Sequence, residues 1–197
     1  MAQKVEEIYQ FKITLKYSNP PIWRRIQVPD SYTFWDLHGA IQDAMGWLDC
    51  HLHEFVVLDP ETPRPVHIGV PDETTEDKVL SGREEKLSSY FSLKNNKAHY
   101  DYDFGDNWEH TVVLEKILPA VHETTYPLCI GGNRECPPED CGGVRGYEHL
   151  LEVLKDPTHE EYEDLLEWVG EPFDLEAFSP EDVVFTNPEE RLKNNIL

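Results

Sequence analysis

The sequence predicts an α+β fold: an antiparallel sheet of β-hairpins, with one helix packed after the first hairpin and a helical C-terminal segment. Three observations carry that prediction. Apolar and polar residues alternate with period two from Ile8 to Tyr17 and again from Tyr100 to Phe104, and short apolar-rich runs lie between them. A single helix-period run interrupts them early, and helix-period runs take over from residue 147. Strands first and helices mostly last argue against a parallel βαβ layout.

Ile8, Phe11, Ile13, Leu15 and Tyr17 mark a first strand, and the segment from Ile22 to Val28 marks a second. Ser18, Asn19, Pro20 and Pro21 between them supply the turn of a hairpin. Thr33 then caps a helix whose Phe34, Leu37, Ile41, Ala44 and Leu48 share one face, with Gly46 near its end. His51 to Leu58 reads as a third strand with Pro65 to Ile68 as a short partner, and the polar, acidic stretch from Val70 to Ser81 as an exposed loop.

The sharpest local pattern runs from His99 to Leu114. Tyr100, Tyr102 and Phe104 alternate with Asp101 and Asp103, so the rings point to one side of a strand and the carboxylates to the other. Gly105, Asp106 and Asn107 form the turn, and Trp108 to Ile117 returns as the partner strand. From Pro127 to Gly146 glycines, prolines and three cysteines predict a loop without regular structure. Beyond it Tyr147, Leu150, Leu151 and Leu154 define one helix. Thr158 and Glu161 make a capping box for a second, which carries Tyr162, Leu165, Leu166 and Val169. Asp174 caps a short helix through Phe178, and the residues to Leu197 are only partly anchored. The organisation is one domain over 1–197: sheet plus one helix over 1–120, the Cys/Gly/Pro loop over 121–146, and a helical part over 147–197.

Acidic side chains outnumber basic ones 39 to 17, giving a formal charge of −22. Such a field repels phosphate polymers and anionic lipid, so the expected partner is a protein with a basic surface rather than nucleic acid or a membrane. The 39% of hydrophobic residues, including five Trp, nine Tyr and eight Phe, supply a core. No export signal opens the sequence and no run approaches eighteen apolar residues, so the expected compartment is the cytoplasm. There Cys50, Cys129, Cys136 and Cys141 are thiols rather than disulfides.

Cys129, Cys136 and Cys141 are spaced by six and four residues, which is not a CxxC knuckle but still places soft donors on a stiff loop. A zinc ion held there takes His110, His51 or His53 as a further ligand; the alternative is that the cysteines pack as small apolar residues. His51 and His53, two apart on a strand, share a face. Asp103, Asp106 and His110 are candidates for catalysis or for a hard cation, with Glu139 and Asp140 as neighbouring carboxylates. Trp23, Tyr102 and Trp108 are candidates for aromatic contact with a partner, while His38, His149 and His159 read as structural or solvent-facing. Absent are GxxxxGK[ST], GxGxxG after a strand, GxSxG and HExxH, which removes sequence support for nucleotide, dinucleotide, serine-hydrolase and zincin chemistry.

The hairpin YDYDFGDNWEH, the loop CIGGNRECPPEDCGG with the following GYEHLLEVL, the HLHEF strand and the opening YQFKITLKYSNPPIWRRIQVPDSYTFWDLHGAIQDAMGW resemble the plasmid pRiA4b ORF-3-like family. The resemblance runs from about Ile8 to Phe178. It implies an α+β domain of largely uncharacterised activity, found in bacteria and archaea and sometimes encoded on plasmids or beside insertion sequences. It also implies Cys129 and Cys136 with histidines, rather than all three thiols, as the ligand set. A resolvase-type activity linked to the family needs a nucleophile supported by arginines and a basic DNA surface, and this chain offers neither. The expected function is therefore a binding or accessory module built on the HLHEF strand, the hairpin and the cysteine loop. The rival is a metal-dependent hydrolase or nuclease-like enzyme using the same hairpin and loop.

Overall fold

A computed structural model describes residues 7–71, 78–170, 174 and 176–194. The first hairpin forms from β1 (Glu7–Leu15) and β2 (Trp23–Pro29), and α1 (Phe34–Met45) follows at once. Thr33 caps α1 as its sequence requires: the Asp36 amide donates to Thr33 Oγ1 at 3.2 Å, and the Thr33 amide donates to Asp36 Oδ2 at 2.8 Å. Then come β3 (His53–Leu58), β4 (Pro65–Gly69), β5 (Val79–Ser81), the single turn α2 (Leu87–Tyr90), β6 (Lys97–Tyr102) and β7 (Trp108–Pro119). The chain ends with β8 (Leu128–Asn133), α3 (Gly143–Leu154), α4 (Tyr162–Val169), a 3-10 turn at Pro180–Asp182 and α5 (Pro188–Asn194).

The strands make one sheet in the order β5-β4-β3-β6-β7-β1-β2-β8. Neighbours are antiparallel except β4 and β5, which run parallel, so the expected antiparallel sheet is mixed at one edge. The expected 70–81 loop thus ends in an edge strand; its residues 72–77 lie outside those described.

One face of the sheet is the core. Phe11, Ile13, Leu15, Ile26, Val28, Phe55, Tyr100, Val112 and Leu114 are buried there beneath α1 and α2. Phe34 of α1 meets Phe55 edge-on at 5.3 Å, and Phe91 after α2 reaches Phe11 at 4.9 Å. The opposite face carries the alternate residues as ion pairs, among them Lys16–Glu109 at 3.2 Å and Arg25–Glu115 at 2.7 Å. This is the period-two pattern of a sheet covered on one side.

Several local expectations change for identifiable reasons. Leu48 lies outside α1 and is 78% exposed, because Gly46 takes a left-handed conformation (φ 90°) and ends the helix. Phe104 is 57% exposed because Asp103 leaves the strand at φ 57°. The cysteine segment is not irregular throughout: Leu128–Asn133 pairs with β2 as β8. Its Gly132 is a matter of close approach, since a Cβ there would stand 2.2 Å from Phe178 Cε1. Thr158 does not cap α4. Its amide and hydroxyl both donate to Asp156 Oδ1, at 2.9 and 2.7 Å. Asp174 closes a turn, accepting the amides of Glu176 and Ala177, rather than a described helix. The C-terminal part is anchored by Arg191, which pairs with Asp43 and with Asp49. Among the described residues no helix is long and apolar enough to cross a membrane.

Candidate functional site

Three loops at one end of the sheet meet: residues 46–52 between α1 and β3, the β6–β7 turn at 103–107, and the cysteine loop at 134–142. The turn is set by Asp103 and Asn107, both left-handed (φ 57° and 56°), with the Asn107 amide donating to the Asp103 carbonyl at 2.6 Å. Asp103 Oδ1 accepts from the Gly105 amide at 2.9 Å, and the Asp103 amide reaches across to the Leu52 carbonyl at 2.9 Å. Asp106 Oδ2 accepts the Gly142 amide at 3.1 Å, docking the cysteine loop on the turn. Gly143 is obligatory beside it, since a Cβ would stand 2.3 Å from the Asp106 carbonyl oxygen.

Glu139 locks the third side of the junction. Tyr102 donates its hydroxyl hydrogen to Glu139 Oε1 at 2.5 Å, and the Leu48 amide donates to Oε2 at 3.1 Å. The Tyr102 oxygen in turn accepts from the Cys50 amide at 3.0 Å, and Trp47 Nε1 donates to the Pro137 carbonyl at 3.0 Å. Burial and the Glu139 carboxylate push the Tyr102 hydroxyl far above the usual tyrosine range.

The consequence is a cluster assembled from all three loops. His51 Nε2 lies 3.3 Å from Asp140 Oδ1 and 3.7 Å from Asp103 Oδ2, and one donor atom of each of the three falls within 4.8 Å of the others. One imidazole and two carboxylates form a donor set that suits a divalent cation or a cationic group of a ligand. A second such set, His99, Asp101 and Glu109, sits on the open face of the sheet, where Lys16 already pairs with Glu109.

Other predicted residues are elsewhere. His51 precedes β3 in a bend, so it does not share a strand face with His53. His53 is buried, its ring stacked on His38 at 3.4 Å and 8°. His110 is fully buried, with Nδ1 3.3 Å from the Tyr100 carbonyl and Nε2 without a hydrogen-bond partner; burial pushes it down to about 3. Trp108 and Tyr102, expected as contact area for a partner, are buried: Trp47 stacks on Tyr102 at 5.2 Å and lies 5.8 Å from Trp108. Trp23 is half-exposed on the open face, beneath Lys12 at 4.9 Å and Arg25 at 5.0 Å.

Among the described residues no cysteine joins a cluster of three or more donor atoms. Cys129 and Cys136 are buried, and Cys136 Sγ lies 3.0 Å from Met45 Sδ and 3.5 Å from Arg24 Nη2. Burial raises all three loop thiols, Cys136 to about 11 and Cys141 to about 12, where they are neutral at pH 7.

Residues 7–182 match the family described as plasmid pRiA4b ORF-3-like protein. The chain belongs to that family. It is 39% identical over 167 residues to "Uncharacterized protein y4hQ" of Sinorhizobium fredii (strain NBRC 101917 / NGR234), covering 84% of this chain and 82% of that protein. It is also similar to a crystal structure titled as a protein of unknown function, MM3350 from Methanosarcina mazei Go1. That match has a TM-score of 0.87 and 52% identity, and it covers 92% of this chain and all of the other. Both relatives are described as uncharacterised or of unknown function, so the family match brings a fold and no molecular activity.

The family match ends at Asp182, before α5, yet α5 completes a buried polar chain that the sequence reading missed. Gln42 Nε2 donates to the Tyr100 oxygen at 3.0 Å, and that hydroxyl lies 2.8 Å from His38 Nδ1. His38 Nε2 lies 2.6 Å from Asp49 Oδ1, and Asp49 Oδ2 accepts from Arg191 Nη1 at 2.8 Å. The signal was present in α1: His38 and Gln42 are four apart and flank Leu37 and Ile41 on the inward face, where a polar side chain needs a partner.

Proposed function

We propose that the protein is a binding module whose working surface is the three-loop junction and whose ligand carries positive charge. The observation that supports this most is the convergence of His51, Asp103 and Asp140, which come from separate loops and meet within 4.8 Å. Hydrogen bonds through Asp106 and Glu139 hold those loops together, so the charge is presented by a fixed frame rather than by loose side chains. The net charge of −22 draws cationic partners toward the molecule, and the junction gives them one place to settle.

The test is equilibrium binding of a fluorescein-labelled lysine decapeptide to the wild type and to the Asp103→Asn/Asp140→Asn variant. A second double variant, Glu61→Gln/Glu123→Gln, removes the same charge at the far end of the sheet. A weaker complex with the first variant alone supports the reading. Equal loss in both double variants reduces the junction to its share of the overall charge.

A second reading is a metal-dependent hydrolase or nuclease-like enzyme. The same imidazole and two carboxylates that would hold zinc or manganese leave coordination positions for water and substrate. In this reading the cation sits at His51, Asp103 and Asp140 and not among the thiols. Phosphoester cleavage that needs the added metal, stops on chelation and is lost in Asp103→Asn would favour it.

A further inference from the structure

Beside the junction, two hollows of about 580 and 270 Å³ open on either side of Asp140 and Trp168, which line both. The larger runs between the loop after α1 and the cysteine loop, past Leu48, Pro138 and Val169. The smaller lies between the cysteine loop and the helices α3 and α4, against Leu150 and Leu165. Two of the apolar side chains here are open to water, Leu48 at 78% and Trp168 at 49% exposed, while Leu150 at the floor is buried. Large apolar side chains gathered along a groove, rather than scattered singly, fit an interaction site.

The charge on the groove is of one sign. Neither hollow is lined by a lysine or an arginine among the described residues, whereas Glu135, Glu139 and Asp140 all line the larger. Glu139 is occupied by Tyr102 and Leu48, but Asp140 is 73% exposed and, among the described residues, pairs with the His51 ring. Neighbouring groups register the field: the Cys50 thiol is raised by its partial burial and then by Glu139, Asp49 and Asp140. A second copy of this chain is a poor occupant, since it brings the same charge of −22.

We infer that this groove docks a basic, apolar peptide segment of a partner protein, with a lysine or arginine set between Asp140 and the face of Trp168 and flanking apolar side chains in the two hollows. The inference rests on the cationic-ligand reading of the junction and adds to it a partner class and an anchor. Trp168 suits that role because an indole offers large contact area at low entropic cost and attracts a cation over its face.

The experiment measures binding of three labelled decapeptides at fixed ionic strength: alternating lysine and leucine, lysine with serine for leucine, and glutamate for lysine. The proteins are the wild type, Trp168→Ala, Leu48→Ser and Asp103→Asn/Asp140→Asn, each checked for its unfolding midpoint. The lysine–leucine peptide is expected to bind tightest and to lose about tenfold with Trp168→Ala, equivalent to about 1.4 kcal/mol. Leu48→Ser, in a loop and mostly exposed, is expected to weaken the same peptide without touching the fold. The lysine–serine peptide should respond fully to the Asp variant and less than the lysine–leucine peptide to Trp168→Ala, since it keeps the cation over the indole and lacks the flanking apolar contacts.

Unchanged affinity of the lysine–leucine peptide for both Trp168→Ala and Leu48→Ser overturns the groove. If the Asp variant still weakens the lysine–serine peptide, the junction reading survives that failure; if it does not, both fall. Spermidine displacing the lysine–leucine peptide as well as the unlabelled peptide does would make the ligand a small cation. A concentration-dependent dimer abolished by Trp168→Ala would hand the groove to a second copy. Either of those results also overturns the peptide assignment.

Discussion

His38 and Asp49 are bound to each other at 2.6 Å inside the fold, eleven residues apart in sequence, with the C-terminal Arg191 on the far side of the carboxylate. The partners dictate the protons. Asp49 and Arg191 require His38 to donate from Nε2, which leaves Nδ1 to accept from the Tyr100 hydroxyl, whose oxygen then accepts from Gln42. Burial alone would raise the Asp49 carboxyl. His38 and Arg191 more than offset that and hold it below the usual carboxylate range, so it is ionised at pH 7.

Asp49→Ala should therefore leave a buried guanidinium half-paired and an imidazole donor without its acceptor. The expected loss is about 3 kcal/mol or more of unfolding free energy, read from urea denaturation. A loss under about 1 kcal/mol would mean that water replaces the carboxylate and that the chain of hydrogen bonds contributes little.

Acid should weaken the fold well above the carboxylate range. His38, His53 and His110 are fully buried, and burial lowers all three below the unfolded value of about 6.5. The unfolded chain then binds the protons that the folded chain refuses. Stability is complete above pH 6.5 and falls as the pH drops toward the folded values, by up to about 1.4 kcal/mol per unit for each histidine. The overall charge of −22 works the other way, because its self-repulsion relaxes as carboxylates protonate. Unfolding midpoints at pH 7.5, 6.5 and 5.5 separate the two effects if His53→Phe is measured alongside: the variant should have the flatter profile. Parallel profiles would remove His53 from the account.

Much of this arrangement was legible where a residue's role is local. The Thr33 cap, the hairpin around Asp106 and the inward rows of β1 and β6 follow from capping, turn chemistry and side-chain alternation, all settled within a few residues. The convergence of the three loops was only suggested by the density of polar residues in each, because it depends on sheet order, and β6 pairs with β3 across almost fifty residues. The cysteine segment misled for a different reason. Its glycines read as breakers, but Gly132 makes room for Phe178, a neighbour that sequence distance hides. The inward turn of Trp108 was equally hidden: the alternation puts it on one face without saying that Trp47 waits there.

Arg191 makes the fate of the C-terminus testable. It pairs with both Asp43 and Asp49, and it passes so close to α1 that a Cβ on Gly39 would stand 2.9 Å from its Nε. Arg191→Met keeps an unbranched apolar stem and deletes the guanidinium, leaving two largely buried carboxylates without their cation. We expect a loss of about 3 kcal/mol, with faster amide exchange in α1. Wild-type stability in this variant would show α5 to be an appendage.

Glu139 should be the pin of the cysteine loop, and the thiols report on it. In the wild type only Cys50 is exposed; Cys129 and Cys136 are buried, and Cys141 is half-buried with its thiol pushed up to about 12, so a disulfide reagent at pH 8 should find one fast thiol. Glu139→Ala strands the Tyr102 hydroxyl and the Leu48 amide, a loss of about 1 to 3 kcal/mol concentrated on the loop that covers Cys136. If the loop opens locally before it reacts, Cys136 should become accessible about ten- to a hundredfold faster, with the unfolding midpoint of the sheet much less affected. Mass spectrometry of the labelled protein assigns the thiol. An unchanged Cys136 rate would transfer the pinning to the Trp47–Pro137 and Asp106–Gly142 hydrogen bonds, and with it the rigidity on which the charge presentation at His51, Asp103 and Asp140 depends.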